Sequence, residues 1–481
     1  MKFCKRIFLI FTIFLTSCTP VDYERIPFGE RTSDLNPVTP TLLATRESYY
    51  PGELVDYEAQ SGDTLTSIAI HFNSNVDEIM AANPNIPEDA TTMPPGMPMK
   101  IPIYYLPLWG TPFQIVPDNF YINGPLSIIF DTSDFVASQS GWIKDYRAFA
   151  SGQSRSGAEI INLVALNFSI SPRILLALLE FQAGALTNPI LPSSEYILGY
   201  DDIEYEGLYL QLVWAANILN NGYYGWRSGH LTTFEHPDGT IERPDPWQNA
   251  ATVAFQAYFL INPIQDYAIA IGPDGFAKTI ENLFGNLWEI DNPHIPVSLQ
   301  QPYFLLPFQA GESWTYTGGP HSGWGTLEPY AALDFAPPAN VGGCAPTQLW
   351  ATALADAVVV RSETGIVVLD LDGDNEERTG WNIFYMHVAT EGRLSVGTKV
   401  KAGDPIGHPS CEGGRATGTH IHIARKYNGE WIPADGTLAF NLEGWIAHNG
   451  TRPYLGTLTR DSETVTACDC SNLASQITAG K

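Results

Sequence analysis

The sequence predicts a multidomain α+β protein, and three features of the chain lead to this expectation. With 481 residues the chain is too long for one hydrophobic core, so two to four domains are expected. Between residues 146 and 300, apolar residues recur at helical spacing, whereas residues 418–424, Gly-Thr-His-Ile-His-Ile-Ala, alternate as a β-strand does. Helical and strand-forming stretches thus occupy separate parts of the chain, which is typical of α+β proteins.

The composition is that of a folded and strongly acidic protein. Aspartate and glutamate number 52 against 25 lysines and arginines, for a net charge of -27. This balance argues against binding nucleic acid phosphates through bulk electrostatics. We interpret the acidity as a contribution to solubility.

Residues 1–18 have the pattern of an export signal. Basic residues within the first six positions precede an apolar run, 7–15, that is too short to span a bilayer. Residues 15–18, Leu-Thr-Ser-Cys, resemble a bacterial lipoprotein cleavage box. This resemblance implies a lipid on Cys18 that anchors the exported protein to the outer face of the membrane; an uncleaved anchor helix or an ordinary signal peptide is the alternative. Residues 19–53, rich in Pro, Thr and Ser, would form a flexible tether.

Residues 54–104 predict a small βααβ module. Gly-Asp-Thr-Leu at 62–65 opens a helix, Asn-Pro at 83–84 stops a second one, and Pro-Gly at 95–96 precedes an apolar strand. These features resemble the lysin motif (LysM), which implies glycan binding in a shallow groove, although a generic α+β module is the alternative. The contacts implied by the resemblance lie near Gly62, Asp63, Thr64, Asn83, Pro84 and Asn85.

Residues 105–145 are expected to form a linker with short strands. Two apolar runs, 112–116 and 126–130, are the strand candidates. They carry no residues whose chemistry suggests a site.

Residues 146–300 predict an α-helical domain of about five helices. Glu180 ends the most apolar of these helices and is followed by Phe-Gln-Ala-Gly. This arrangement weakly resembles lysozyme-like lytic transglycosylases, in which a helix-end glutamate protonates the glycosidic oxygen. The alternative is an ordinary helix-end glutamate in a spacer or binding domain, and both interpretations stay open.

The strand at 418–424 carries two histidines, His420 and His422, two residues apart and therefore on one face. A second strand-like run, 381–388, carries His387, and alternation predicts that Tyr385 shares its face. Upstream lie His321 and, thirteen positions later, Asp334. Histidines and a carboxylate in this combination suit a metal site or proton transfer.

These motifs resemble the lysostaphin-type zinc metallopeptidases that cut peptidoglycan peptides: a first His, an Asp, Tyr-x-His, and Gly-x-His-x-His. Residues 396–407, Val-Gly-Thr-Lys-Val-Lys-Ala-Gly-Asp-Pro-Ile-Gly, match another stretch of that family, and the resemblance covers about 305–450. It implies an antiparallel β-rich peptidase domain, 301–455, followed by a C-terminal tail, 456–481. The implied zinc ligands are His321, Asp334 and His422, and the implied catalytic pair is His387 and His420.

The chain departs from this family in the long spacing between His321 and Asp334. The family usually has three residues between its first His and the Asp, so a loop insertion is expected here. Position 325, where the family's Asp would fall, is a glycine, and the context Leu-Asp-Phe-Ala-Pro around Asp334 resembles that of the family.

The cysteines and an acidic run complete the candidate residues. Cys344 and Cys411 both flank the peptidase motifs, so we expect a disulfide between them in an oxidising compartment, while Cys468 and Cys470 form a local bridge or pair elsewhere. The alternating acids of 370–377 resemble a calcium loop but lack the full EF-hand pattern. A solvated acidic hairpin is the alternative to Ca²⁺ at Asp370, Asp372 and Asp374.

The function predicted from these features is a zinc endopeptidase that cleaves peptidoglycan peptides, tethered by lipid to the cell envelope. The LysM-like module would bind the glycan of the same polymer. One alternative is a non-catalytic cell-wall-binding scaffold with a degenerate peptidase domain. The other is a glycan-cleaving enzyme acting through Glu180.

Overall fold

The computed structural model describes residues 46–262, 266–290, 292–470 and 472–480. The predicted signal peptide, its lipidation site Cys18 and the tether up to residue 45 lie outside these ranges. Within them, no helix combines the length and apolar character needed to cross a bilayer.

The first module has the βααβ order predicted for it: β1 (Glu53–Glu58), α1 (Leu65–His71), α2 (Val76–Ala82) and β2 (Pro98–Ile103). Strands β1 and β2 pair in antiparallel fashion. Helix α1 begins with a capping box, because Thr64 accepts from the Ser67 amide and the Ser67 hydroxyl accepts from the Thr64 amide. Phe72 and Ile79 are buried in the core that the helices and strands share.

The prediction of short strands between residues 105 and 145 is wrong. This segment instead contains helical turns: α3 (Asp118–Tyr121), a 3-10 helix (Pro125–Ser127), α4 (Thr132–Ala137) and a second 3-10 helix (Trp142–Lys144). Its apolar residues pack into the core of the helices that follow, and the Ile115 amide donates to the Thr252 hydroxyl at 2.8 Å rather than to a partner strand.

Helices dominate the chain from there to residue 290. The elements are β3 (Arg147–Ala150), β4 (Gln153–Ser156), α5 (Gly157–Phe168), α6 (Pro172–Ala183), α7 (Leu208–Ser228), β5 (Phe234–Glu235), β6 (Ile241–Glu242), α8 (Ala250–Ile261), α9 (Tyr267–Ala270) and α10 (Phe276–Phe284). Short 3-10 helices lie at Ile203–Tyr205 and Leu287–Ile290.

The remainder of the described chain is rich in strands, as predicted. They are β7 (Ser313–Ser322), β8 (Tyr330–Ala336), β9 (Ala351–Thr352), β10 (Ala357–Glu363), β11 (Gly365–Asp370), β12 (Trp381–Val388), β13 (Lys399–Val400), β14 (Pro405–Gly407), β15 (Ile421–Tyr427), β16 (Glu430–Trp431), β17 (Asn441–Leu442), β18 (Trp445–Asn449), β19 (Gly456–Arg460), β20 (Glu463–Thr466) and β21 (Gln476–Thr478). A 3-10 helix, Leu473–Ser475, precedes β21.

The main sheet has the order β13-β10-β11-β12-β15-β8-β7-β21, with β16 paired to β15. The prediction that residues 456–481 form a C-terminal tail is wrong. Strands β19 and β20 complete a four-stranded sheet, and β21 pairs with β7. The physical reason is a hairpin whose Leu458 and Val465 turn toward the core.

The two faces of the main sheet have different neighbours. Ile421 and Ile423 of β15 lie in a core formed by the strand-rich part of the chain. Ala424 of β15 and Phe384 of β12 lie on the other face, in a core that also contains α5, α6, α7 and α8. The helices therefore share a core with the sheet face that carries His422, instead of enclosing a core of their own.

Candidate metal centre

Three neighbouring strands bring the predicted metal ligands together. His321 lies on β7, Asp334 on β8 and His422 on β15, where His422 stands directly opposite Asp334 in the antiparallel register. The distances are 3.1 Å from His321 Nε2 to His422 Nδ1, 3.3 Å from His321 Nε2 to Asp334 Oδ1, and 3.2 Å from His422 Nδ1 to Asp334 Oδ1. All three side chains are buried.

The second nitrogen of each ligand histidine fixes its tautomer. His321 Nδ1 lies 2.8 Å from the Gly319 carbonyl oxygen, and His422 Nε2 lies 3.2 Å from the Gly323 carbonyl oxygen. Because a carbonyl oxygen only accepts, these nitrogens carry the protons. The opposite nitrogens therefore point bare lone pairs at each other and at Asp334.

The close approach of His321 Nε2, His422 Nδ1 and Asp334 Oδ1 favours a cation between them. Asp334 Oδ1 is buried and receives no hydrogen bond. A tetrahedral zinc ion with ligand distances of about 2.0–2.1 Å keeps its ligand atoms roughly 3.3 Å apart, close to the separations observed here. Two imidazole nitrogens and one carboxylate oxygen also match the donor set of a hydrolytic zinc site. The residues therefore fit zinc in composition, spacing and protonation.

The electrostatics of the site keep the Asp334 carboxyl ionised. Burial alone would raise the pKa of the Asp334 carboxyl, but His321 and His420 outweigh it and hold that pKa well below its usual value. Burial lowers the pKa of His422 and brings the pKa of His387 to about 4. An ionised carboxylate is the form in which an aspartate binds a metal.

The predicted catalytic pair lies beside the three ligands. The rings of His387 and His420 have centroids 4.4 Å apart, and His420 Nε2 is 3.8 Å from Asp334 Oδ2. His387 Nδ1 donates to the Glu412 carbonyl oxygen at 2.9 Å, and His420 Nδ1 donates to the Gly418 carbonyl oxygen at 2.8 Å. In the neutral form of each ring, Nε2 is then the nitrogen that can accept a proton.

The shared face expected for Tyr385 and His387 is wrong. Tyr385 belongs to the core on the other face, where its hydroxyl donates to the Thr352 carbonyl and accepts from the Leu354 amide. A β-bulge shifts the pairing of β11 and β12 next to Gly365, and His387 has a φ of 66°. The bulge breaks the alternation and turns His387 toward the site.

The long spacing between His321 and Asp334 forms the loop of the β7–β8 hairpin. Strand β7 leads into the loop after Ser322, and β8 returns from Tyr330 to pair with it. The loop contacts helix α7, since the Thr326 amide donates to Asn217 Oδ1 at 2.8 Å and the Glu328 amide to Asn221 Oδ1 at 2.9 Å. The insertion thus leaves both ligands in place.

One neighbour of the site was missed by the sequence analysis. The Tyr454 ring stacks on His321 with centroids 4.0 Å apart and 22° between the planes. The Gly319 amide donates to the Tyr454 carbonyl oxygen at 2.8 Å, so the backbone beside the ring is fixed to β7. A single tyrosine in a turn, 32 residues after His422, gives no signal in the sequence.

Two disulfides are present among the described residues. Cys344 is bonded to Cys411, with Cα atoms 5.7 Å apart, and Cys468 is bonded to Cys470. The Gly343 carbonyl oxygen accepts from the Thr419 amide at 3.0 Å. The first disulfide therefore flanks the segment that carries His420.

The residues predicted to contact glycan in the first module have mixed roles. Asp63 is buried and accepts from the Tyr57 hydroxyl at 2.6 Å, and Asn83 is buried with its amide bonded to the backbone of β2. Gly62 faces the Arg227 guanidinium, and Thr64 caps α1. Pro84 and Asn85 are the exposed members of the set.

Glu180 is held by its own loop. Its carboxylate accepts hydrogen bonds from the Leu186 amide, the Thr187 amide and the Thr187 hydroxyl, at 2.7, 3.2 and 2.6 Å. These bonds give the carboxylate a structural role after α6, in keeping with the ordinary helix-end interpretation.

In the acidic loop after β11, the carboxylates accept hydrogen bonds from backbone amides of the same loop. Asp370 accepts from the amides of Asp372, Gly373 and Asn375, and Asp374 accepts from the Glu376 amide. Although Asp370, Asp372 and Asp374 lie close enough to share an ion, the geometry is that of a hydrogen-bonded acidic hairpin and gives calcium no support.

Comparisons with known proteins agree with this architecture. Residues 57–102 match the model of the LysM domain, and residues 114–298 match that of the LasA N-terminal domain. Protease LasA of Pseudomonas aeruginosa strain UCBPP-PA14 is 25% identical over 318 residues, which cover 61% of this chain and 72% of LasA. The chain is therefore similar to LasA over most of the length of that protein.

Two further similarities are to proteins described as metallopeptidases. The beta-lytic metalloendopeptidase of Achromobacter lyticus is 28% identical over 142 residues, covering 27% of this chain and 35% of the relative. A solved structure described as a novel M23 metalloprotease, pseudoalterin, from the deep sea is 23% identical, covers 35% of this chain and 96% of its own, and has a TM-score of 0.30. The predicted resemblance to a LysM-bearing metallopeptidase is confirmed by the homologues.

Proposed function

We propose that this chain is a zinc-dependent endopeptidase that hydrolyses peptide bonds in bacterial peptidoglycan. The observation that carries the proposal is the convergence of three buried atoms, His321 Nε2, His422 Nδ1 and Asp334 Oδ1, which lie 3.1–3.3 Å from one another. The homology to protease LasA and to beta-lytic metalloendopeptidases supports the same class of reaction.

The metal-binding residues are His321, Asp334 and His422. Bound there, zinc would supply Lewis-acid chemistry, which polarises a peptide carbonyl and lowers the pKa of water. The Gly319 and Gly323 carbonyls hold the two imidazoles in the tautomers that leave the ligating nitrogens bare.

Proton transfer belongs to His387 and His420. Their unprotonated Nε2 atoms can accept a proton from the attacking water and return it to the leaving amine, while a protonated ring stabilises the developing oxyanion. The Glu412 and Gly418 carbonyls keep the rings oriented during this exchange because each accepts from the Nδ1 proton.

The LysM domain is proposed to bind the glycan of the same polymer. Holding a glycan-binding module beside the peptidase raises the local concentration of substrate. The exposed Pro84 and Asn85 are the predicted contact residues that remain accessible. A lipid on Cys18 and anchoring at the outer face of the membrane stay part of the proposal, as does a helical middle domain that packs against the peptidase sheet.

The proposal is tested by incubating peptidoglycan with the full chain and measuring which bonds are cleaved, the peptide bonds or the glycosidic bonds. We expect new amino groups without new reducing sugar ends, and a loss of at least about 100-fold in His420→Ala, since a general acid or base contributes about 10²–10⁴-fold. His448→Ala, on a partly exposed histidine outside the site, is the matched control. Cleaved glycan strands without new amino groups would contradict the endopeptidase and return Glu180 to consideration.

A further inference from the structure

A cavity of about 380 Å³ lies where the LysM domain meets helix α7. Its walls come from the C-terminal end of α1 and the residues after it, from the chain following β2, from the end of α7 and from the segment after β6. Small-molecule sites occupy about 300–1,000 Å³, so the cavity is large enough for one compact ligand. It lies at the opposite end of α1 from the Gly62–Thr64 loop predicted to contact glycan.

The walls of the cavity are held together by direct contacts. The His71 ring stacks on Trp226 with centroids 3.6 Å apart, and His71 Nε2 donates to the Trp226 carbonyl oxygen at 3.0 Å. Ile70 packs so closely on Gly229 that a methyl group there would overlap it. Direct contacts between the LysM domain and α7 therefore hold the walls of the cavity in place.

One wall carries a cation without a partner. The Arg243 guanidinium makes no hydrogen bond or ion pair with another described residue, and its Nε is buried without an acceptor. The Arg243 backbone is fixed, because its amide donates to the Leu108 carbonyl at 2.8 Å and its carbonyl accepts from the Gly110 amide at 2.7 Å. An unpaired guanidinium beside a cavity favours an anionic ligand.

The neighbouring carboxylates are already engaged elsewhere. Glu242 pairs with His236 at 2.8 Å and accepts from the Tyr267 hydroxyl, and Asp245 pairs with Arg46. No Asp or Glu is among the described residues that line the cavity. The Arg243 charge is therefore available to a ligand.

The remaining walls suit a small ring or a methyl-bearing unit with polar groups. Trp109 and Trp226 offer aromatic surface, and Asn73, Ser74 and Thr232 offer an amide and two hydroxyls. Aromatic surface flanked by a few polar groups is the usual lining of a small-molecule site.

We propose that this cavity binds a carboxylate-bearing unit of peptidoglycan, with Arg243 pairing with the carboxylate. The proposal rests on the proposed function, which supplies the polymer. Two of its free carboxylates are considered: the C-terminal carboxylates of stem peptides and, where the stem peptide has been removed, the lactyl group of muramic acid. The cavity would give the chain a second contact with its substrate, distinct from the LysM groove.

Calorimetric titration of the full chain tests the site with two pairs of probes: N-acetylmuramic acid against its methyl ester, and D-alanyl-D-alanine against its amide. We expect at least one acid to bind about tenfold or more tightly than its neutral partner, which corresponds to about 1.4 kcal/mol. The acid that binds identifies the source of the carboxylate.

Variants locate the binding. Arg243→Gln should remove the preference for the acid, whereas Arg147→Gln, on an exposed arginine of β3, should keep it. Thr232→Trp, which fills the cavity from an exposed position, should abolish binding even if Arg243→Gln folds poorly. Equal binding of acid and neutral probes, no binding of either acid, or unchanged binding in both cavity variants would overturn the proposal.

This result is separable from the test of the peptidase. Binding of isolated ligands requires no turnover, so an inactive peptidase leaves the titration interpretable. Loss of the binding site likewise leaves the product analysis in His420→Ala unaffected.

Discussion

At the scale of single residues, the site depends on which nitrogen of each histidine is bare. Backbone carbonyls at Gly319, Gly323, Glu412 and Gly418 fix all four tautomers. The chain thus orients its imidazoles through main-chain atoms, whose positions follow from the strands and turns rather than from further side chains.

Tyr454 is expected to stabilise the position of His321. We predict that Tyr454→Ala weakens zinc affinity by about tenfold, within the 10–100-fold typical of groups that orient metal ligands, because the stacked ring is lost. Tyr454→Phe keeps the ring and should bind zinc as the wild type does. Competition with a chromogenic chelator measures both affinities, and an equal loss in the two variants would assign the effect to the hydroxyl instead.

Residue-type motifs made most of the candidate site predictable. The proposed ligand and catalytic residues lie together in the structure, and the sequence singled them out because histidine and aspartate stand in a recognisable order. A hairpin accommodates the long spacing between His321 and Asp334. Tyr454 was not predictable, because stacking on a ligand requires no motif. The orientation of His387 was missed because a bulge cancels strand alternation.

At the scale of elements, the bulge between β11 and β12 is the device that brings His387 into the site. Gly365 lies in this bulge with a φ of 75°, and a Cβ there would overlap the Glu412 carbonyl oxygen. That oxygen also orients His387. The strand pair and the His387 ring are therefore linked through the Glu412 carbonyl.

Gly365→Ala should therefore damage both stability and activity. We expect a loss of about 1–3 kcal/mol in the free energy of unfolding, from positive-φ strain plus the overlap, and a loss of amine release as Glu412 is displaced. Urea unfolding and product analysis measure the two effects. Gly373→Ala, at a φ of 78° with nothing near its Cβ, is the control for strain alone; equal activity in the two variants would contradict the link.

Prediction of the elements succeeded where local signals were strong. The βααβ module follows from its capping and turn residues, whereas the runs 112–116 and 126–130 suggested strands from apolar content alone. Long-range packing on α8 decided their conformation, and that packing is not encoded locally.

At the scale of the whole molecule, a buried ionic cluster joins the LysM domain, the helices and the sheet. Arg227 on α7 is 3.2 Å from Asp118 Oδ2 and 3.2 Å from Glu430 Oε1, and it also donates to the Ser61 carbonyl. Glu430 Oε2 is bonded to His294 Nε2 at 2.5 Å. These contacts fix the three parts relative to one another.

Arg227→Met should destabilise the chain by about 3–5 kcal/mol, because Asp118 and Glu430 would keep buried charge without their cation. Thermal and urea unfolding of the full chain measure the change. Lys278→Met, which removes an exposed pair with Glu281, should cost less than about 1 kcal/mol. If Arg227→Met lowered the free energy of unfolding by as little as Lys278→Met does, the junction would not depend on this arginine.

The shared core of helices and sheet could not be predicted from the sequence. The helical periodicity of 146–300 suggested a domain with its own core, but it did not show which surface the apolar stripes cover. In the structure, Ala424 and Phe384 of the sheet complete that core.

The most direct test of the account is the zinc content of the purified full chain and of Asp334→Ala. We predict one zinc per chain in the wild type and none retained in the variant after dialysis, while the Arg147→Gln control keeps its metal. Full zinc occupancy in Asp334→Ala would contradict the assignment of His321, Asp334 and His422 as the metal site, and with it the proposed mechanism.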